Sequence, residues 1–166
     1  MKHYYDTFPT PAGDFSIAVD ASHAVIATAF GGVSELRTRF EAGELVRDPA
    51  RVAEARDQVR EYFAGKREAF SVTLAPSGTA FQQRVWSALQ RIPFGATRSY
   101  GQLAAELGNP NASRAVGRAN ATNPIALIVP CHRVIGRDGA LTGFAFGEEI
   151  KRQLLTHESA STPAIV

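Results

Sequence analysis

Cysteine is nearly absent from this 166-residue chain: Cys131 stands alone, beside one methionine and one tryptophan. A single thiol excludes an internal disulfide and any multi-cysteine zinc site, so no metal is expected. No apolar run approaches the roughly 20 residues that a membrane span needs. The opening Met1-Lys2-His3-Tyr4-Tyr5-Asp6 lacks the apolar core of a signal peptide. A soluble, cytoplasmic protein with no membrane partner is the expectation. Internal repeats and low-complexity tracts are also missing. What is present is an ordinary globular composition, 45% hydrophobic and 20% charged, which argues against disorder. The length suits one large domain or two small ones, with enough chain to bury a core.

A net charge of +2 conceals an asymmetry. Residues 1–79 carry nine Lys/Arg against eleven Asp/Glu, whereas residues 80–166 carry nine against five. Between residues 80 and 145 seven arginines face only Glu106 and Asp138. A basic second half beside a mildly acidic first half points toward a polyanion as partner of the second; scattered surface charge is the competing explanation.

The first third reads as strands. Phe15, Ile17 and Val19 alternate with small or polar residues, Asp20-Ala21-Ser22 makes a turn, and an apolar run follows from Ala24 to Phe30. This is the pattern of an antiparallel hairpin. Ser34 is placed to cap a short helix running to Glu41 and closed by Gly43. Asp48-Pro49 opens a longer helix that presents Val52, Val59 and Phe63 on roughly one face and stops at Gly65. Phe70, Val72 and Leu74 suggest a further strand, and Ala75-Pro76-Ser77-Gly78 a linker.

The second half reads as helices. Thr79 is placed to cap one whose Phe81, Val85, Leu89 and Ile92 form an apolar stripe, ended by Pro93-Phe94-Gly95. Ser99 and Gln102 fit a capping box opening a helix through Leu107. After Gly108-Asn109-Pro110 another short helix runs from Ala112 to about Ala121, giving a candidate helix-turn-helix. On it Arg114 and Arg118 share a face at i, i+4, with Ser113 and Gly117 in an adjacent row. Small residues edged by arginines admit a phosphate backbone; tight helix packing through Ala115 and Ala119 explains the same composition.

Beyond Asn123-Pro124 a buried-looking run, Ile125–Val129, leads as a strand into Pro130-Cys131-His132-Arg133-Val134-Ile135. A cysteine followed by a histidine is a candidate nucleophile, because the thiolate attacks and needs a base or positive charge nearby. A lone buried cysteine also serves as a small hydrophobe. Adjacency does not bring the two side chains together, since in extended chain they point to opposite faces.

Pro130-Cys131-His132-Arg133-Val134-Ile135 resembles the active-site signature of the O6-alkylguanine-DNA alkyltransferases, and the match extends well beyond it. It includes Phe81-Gln82, Val85-Trp86, Ile92-Pro93-Phe94-Gly95, Ser99-Tyr100, Gly108-Asn109-Pro110, Arg114-Ala115-Val116-Gly117 and Asn123-Pro124. It continues through Gly136, Gly143, Lys151 and Leu154-Leu155 to His157-Glu158, covering almost all of residues 80–158. The first half is similar more loosely, through Thr10-Pro11-Ala12-Gly13 and the hairpin after it.

The resemblance implies an α/β N-terminal domain, a small antiparallel sheet with helices, over residues 1–75. A mostly α, winged-helix-like DNA-binding and catalytic domain follows over 76–166. It implies repair by direct reversal: one irreversible transfer of the alkyl group from O6-alkylguanine, and also O4-alkylthymine, in double-stranded DNA to Cys131, by a monomer without a cofactor. His132 matches the base, acting on Cys131 through a water, and Glu158 the carboxylate that orients it. Asn123, held by Pro124, matches the residue bracing the turn under the thiol. Arg114 matches the finger entering the base stack, with Ser113, Gly117 and Arg118 beside it on the DNA. Tyr100 matches the tyrosine that crowds the phosphate, helps rotate the nucleotide out and then hydrogen-bonds the flipped base. Backbone groups near Val134 and Ala145 match those reading the guanine edge, and Arg133 a structural clamp between the halves.

The chain departs from the family pattern in the lid, Gly143-Phe144-Ala145-Phe146-Gly147. Phe146 replaces a usual glycine; its ring either points into the alkyl pocket and narrows it toward methyl, the favoured expectation, or lies outside against the C-terminal helix and changes only lid mobility. Ala145 replaces a serine of some relatives, leaving only a backbone contact there. Three other classes compete. A non-catalytic binder of alkylated DNA resembles the same domain but has tryptophan in place of Cys131. A cysteine hydrolase leaves the arginine-bearing helix unexplained. A DNA-binding regulator needs a further domain for which this chain has no room.

Overall fold

The computed structural model describes residues 2–41 and 43–161. The chain forms two compact units, one of residues 1–77 with 124–128, the other of residues 78–123 with 129–166. A single boundary at residue 75 therefore does not account for residues 124–128.

The first unit is built on a four-stranded sheet. Strands β1 (Lys2–Thr10), β2 (Gly13–Val19), β3 (Val25–Phe30) and β4 (Glu44–Arg47) lie in the order β3-β2-β1-β4. The expected hairpin is β2–β3, antiparallel with a bulge at Ala18/Val19. Its turn is held by the Asp20 carboxylate, which accepts from the amides of Ser22 and Ala24 at 2.9 and 3.0 Å. The sheet is mixed rather than antiparallel, because β4 pairs parallel to β1, Lys2 opposite Glu44 and Tyr5 opposite Arg47. After β3 the chain passes through helix α1 (Val33–Arg37) to the far edge of the sheet and enters it in the direction of β1.

Helix α1 is shorter than expected. Its N-cap is Gly32, with no side-chain cap from Ser34, and Thr38 closes it. Phe70–Leu74 supplies no strand of the sheet, only an isolated bridge from Leu74 to Val25. The core collects Phe8, Phe15 and Phe30, whose rings meet edge-on at 6.0 and 4.9 Å. Helix α2 (Pro49–Phe63), capped by Asp48 as expected, adds Val52, Ala55, Val59 and Tyr62. Residues 124–128 join this unit through the pairing of Ile125 with Thr28, whose hydroxyl donates to the Ala126 carbonyl at 2.7 Å.

The second unit is mainly helical: α3 (Ala80–Gln90), α4 (Tyr100–Glu106), α5 (Ser113–Ala121) and α6 (Glu148–Ser161). Thr79 and Ser99 each close a capping box, with Gln82 and Gln102, and so fix where α3 and α4 begin. The inner face of α3 carries Val85, Leu89 and also Trp86 and Ala88, while Phe81 is only half-buried. Trp86 Nε1 donates to the Ala119 carbonyl at 2.8 Å and so fastens α5 to α3. Strands β5 (Arg98–Ser99) and β6 (Val134–Ile135) form a two-stranded parallel sheet. None of the described helices is long and apolar enough to cross a membrane.

Candidate active site

The segment entering the thiol is buried but is not the expected strand. Leu127 sits at φ +74°, and tight turns join Ile128 N to Ala126 O at 3.0 Å and Cys131 N to Val129 O at 2.8 Å. Pro130 then opens a single 3-10 turn, Cys131–Arg133. Tight turning rather than extension lets consecutive side chains take different partners on one side of the backbone. Cys131, His132 and Arg133 are all buried.

His132 and Arg133 converge on one carboxylate supplied by α6. His132 Nε2 lies 2.7 Å from Glu158 Oε2. Arg133 donates through Nε to Glu158 Oε1 at 2.8 Å and through NH2 to Oε2 at 3.1 Å, and through NH1 to the Ile92 carbonyl at 2.7 Å. The expected clamp between halves is thus a fork whose bonds lie within the second unit. Glu158 is 1% exposed. Burial opposes its charge, but the His132 hydrogen bond and charge together with the Arg133 fork outweigh it and hold the carboxyl at about 2. Burial pushes His132 below its ordinary value despite Glu158, and the nearby charges of Arg133 and Lys151 act the same way. A neutral imidazole donating Nε2–H to a carboxylate carries its lone pair on Nδ1. That atom is buried and has no hydrogen-bond partner.

Asn123 Nδ2 donates to the Val129 carbonyl at 2.8 Å. Tyr100, the first residue of α4, donates its hydroxyl to the Thr142 carbonyl at 2.9 Å. Burial and then the charge of Cys131 raise its pKa, so the phenol stays protonated and faces the thiol's field. Gly143 lies against this hydroxyl at φ +81°; any Cβ there would collide with it, so the lid starts at a position only glycine fits. Phe144 is buried, and Phe146 meets it edge-on at 5.6 Å. The ring expected to narrow the pocket thus packs on its lid neighbour. Ala145 is exposed between them.

On α5, Arg114 and Arg118 are both exposed, with Ser113 and Gly117 half-buried beside them and the Tyr100 ring 3.7 Å from a Cβ built on Gly117. The structure therefore brings Tyr100 and the arginine-bearing helix together. Val134 sits in β6, and its carbonyl, one of the groups expected to read a base edge, accepts from Lys151 at 2.6 Å.

Lys151 had no role assigned from sequence. It is fully buried, donates also to the Thr142 carbonyl at 3.1 Å, and lies in the field of Cys131. Burial lowers its pKa, while Cys131 and Glu148 oppose that. A signal was available: Lys151, Leu154 and Glu158 fall at i, i+3 and i+7, so two charged residues occupy the stripe that α6 buries. Among the described residues no group of His, Cys, Asp and Glu is placed to hold a metal ion.

A buried cysteine beside a neutral histidine, itself fixed by a carboxylate, within a helical unit that exposes two arginines on one helix, defines a nucleophile-bearing domain with a cationic helix. Two family models match the chain: "6-O-methylguanine DNA methyltransferase, DNA binding domain" over residues 80–160, and its "ribonuclease-like domain" over residues 3–76. The methylated-DNA–protein-cysteine methyltransferase of Methanosarcina acetivorans is 46% identical over 160 residues, covering 95% of this chain and 99% of the relative. That of Mycobacterium tuberculosis is 45% identical over 163 residues, covering 97% and 95%. The crystal structure of M. tuberculosis OGT in complex with DNA matches with a TM-score of 0.87 at 43% identity, covering 97% of this chain and 96% of that one. The chain belongs to the 6-O-methylguanine DNA methyltransferase family.

Proposed function

We propose that this protein repairs alkylated DNA by moving the alkyl group from guanine O6 to Cys131, once per molecule. The observation that carries this reading is the buried cluster in which one carboxylate fixes His132 Nε2 and leaves Nδ1 without a hydrogen-bond partner, on the residue that follows the chain's single cysteine. His132 takes the thiol proton through a water, Glu158 stabilises the imidazolium that forms, and the buried ammonium of Lys151 favours the thiolate. The thiolate attacks the alkyl carbon, the sulfur–carbon bond forms as the carbon–O6 bond breaks, and guanine leaves with the electron pair and takes up a proton. The product is a thioether that no neighbouring group reverses, so the reaction is stoichiometric and needs no cofactor. O4-alkylthymine offers the same carbon–oxygen bond and is included as a substrate.

Double-stranded DNA is the partner of α5. Arg114 fills the gap left by the rotated nucleotide, Ser113 and Gly117 admit the backbone, and Arg118 meets phosphate. Tyr100, kept protonated, crowds the phosphate during rotation and then donates to the flipped base. The backbone near Val134 and Ala145 lies along the base edge, with Lys151 holding the Val134 carbonyl in place. Residues 1–75, joined by residues 124–128, and the remainder of 76–166 act as separate domains of a cytoplasmic monomer.

Mass spectrometry after mixing with a duplex containing O6-methylguanine tests the reading. The expected result is one methyl group per protein, located on Cys131, with product saturating at one equivalent. An unmodified Cys131, or continued turnover beyond one equivalent, would overturn it in favour of a binder or a hydrolase.

A further inference from the structure

Helix α5 buries one amide that packing does not call for. Asn120 is 1% exposed, between the apolar inner residues Val116 and Ala119 and the bracing residue Asn123. Its Nδ2 donates to the Cys131 carbonyl at 3.3 Å, while its Oδ1 is buried without a partner. Reversing the amide would set oxygen against oxygen, so the donor must face the carbonyl. An apolar side chain of the same size would fill the space without an unmatched oxygen. The amide is therefore retained at a cost, and its single side-chain bond goes to the peptide group of the nucleophile.

The neighbouring bonds make this a two-point hold. Asn123 grips the Val129 carbonyl at 2.8 Å, the same oxygen that the Cys131 amide engages at 2.8 Å. Asn120 grips the carbonyl of Cys131 itself, which also accepts from the Val134 amide. The 3-10 turn has no side-chain cap of its own. Helix α5, which carries Asn120 and ends two residues before Asn123, is anchored by Trp86 and exposes Arg114 and Arg118.

We propose that Asn120 is a positioning residue: through the Cys131 carbonyl it ties the thiol to α5, so that the element facing DNA also sets where the nucleophile sits relative to the extruded base. The proposal rests on the repair reading above. It assigns Asn120 no part in activating the thiol, which belongs to His132, Glu158 and Lys151.

The test uses Asn120→Leu and Asn120→Ala in the full chain. Single-turnover methyl transfer from an O6-methylguanine duplex is measured over a range of DNA concentrations, which separates the rate at saturation from the Kd. The expected result is a fall of about tenfold or more in the saturating rate, with Kd within about twofold of the parent. The pH profile of Cys131 alkylation by iodoacetamide, a small reagent with no geometry to satisfy, should overlay the parent. A saturating rate within about twofold of the parent in either folded variant would overturn the proposal. So would an iodoacetamide profile displaced in step with the loss, because Asn120 would then act on the thiol's ionisation. If Asn120→Leu does not fold, Asn120→Ala, which adds no bulk, carries the same readings. Absence of transfer by the parent would defeat the repair reading instead, and is seen before any variant is compared.

Discussion

Asp6 in the first unit and Glu158 in the second are both buried carboxylates, 5% and 1% exposed, and each is engaged by two cationic or basic side chains. Asp6 accepts from Arg47 at 3.3 Å and from Arg56 at 3.1 Å, joining β1 to β4 and α2. Both partners are permanent cations, and Arg47 stays 64% exposed. Glu158 holds Arg133 and His132, both buried, and one of these partners can gain or lose a proton. Similar inventories thus serve different ends. Two guanidiniums around a carboxylate work as a staple between elements of the sheet and α2. Exchanging one for an imidazole makes the carboxylate the fixed end of a proton-handling pair, with the second guanidinium keeping the anion charged.

The comparison breaks most completely at the nucleophile. Cys131→Ala should abolish methyl transfer while leaving binding to methylated duplex intact, read by mass and by gel shift. Stoichiometric transfer by this variant would remove the second cluster's purpose. Next in size are the two carboxylates themselves. Glu158→Gln should cut transfer by about 100-fold or more and cost about 3 kcal/mol by leaving Arg133 buried without its partner. Asp6→Asn should cost about 2 kcal/mol in denaturant melts and leave the transfer rate of the folded protein unchanged. Equal effects on rate would erase the distinction between the clusters.

Arg114→Ala sharpens the same comparison from outside both clusters. It should slow duplex repair by about tenfold and leave reaction with free O6-benzylguanine, which needs no base rotation, unchanged. Equal losses on both substrates would make Arg114 structural. Acid should act on the second cluster without mutation. His132 is depressed by burial, so the unfolded chain takes up its proton first and stability falls as pH drops below about 6.5. Glu158, held at about 2 against an ordinary 4.5, contributes stability that is complete above 4.5 and lost on acidification toward 2, about 3 kcal/mol in all. Melting curves against pH should show that loss in the parent and not in Glu158→Gln. The smallest effect is expected at the lid. With its ring packed on Phe144, Phe146→Gly should change benzyl and methyl transfer in parallel. A gain confined to the benzyl substrate would put the ring in the alkyl group's path.

Local chemistry was legible wherever it is decided by neighbours in the chain. Thr79 with Gln82, Ser99 with Gln102 and Asp48 before Pro49 mark helix starts that the structure reproduces, because caps act over three residues. Ser34 failed for the same reason in reverse: Gly32 already occupies the cap position, and the serine lies inside the first turn. Strand β1 and the parallel placement of β4 were not legible, since pairing is set by partners some forty residues away and the first strand has no clean alternation. The return of residues 124–128 to the first unit is likewise a long-range event, read in sequence only as an apolar run.

In the candidate site, Cys131, His132 and Glu158 were legible through the family resemblance, and the structure adds how the last two meet. Arg133 was read only as a clamp between the halves, because a buried guanidinium gives no sign in sequence of which carboxylate it will find; its fork closes on Glu158. Lys151 and Asn120 escaped notice as functional residues although both are polar side chains at buried helix positions. Periodicity locates such a face, but only packing shows that a lysine or an asparagine on it is aimed at backbone around the thiol.

The claim that Glu158 and His132 form the proton-handling pair for Cys131 is tested most directly by the rate of Cys131 alkylation with free O6-benzylguanine as a function of pH. Parent, Asp6→Asn and Glu158→Gln are compared on this substrate, which bypasses DNA binding and base rotation. The account predicts that the Asp6→Asn profile overlays the parent and that the Glu158→Gln profile moves to higher pH, because a less well stabilised imidazolium leaves more of the thiol protonated. Superimposable profiles for all three proteins would contradict it and reduce Glu158 to a second structural staple.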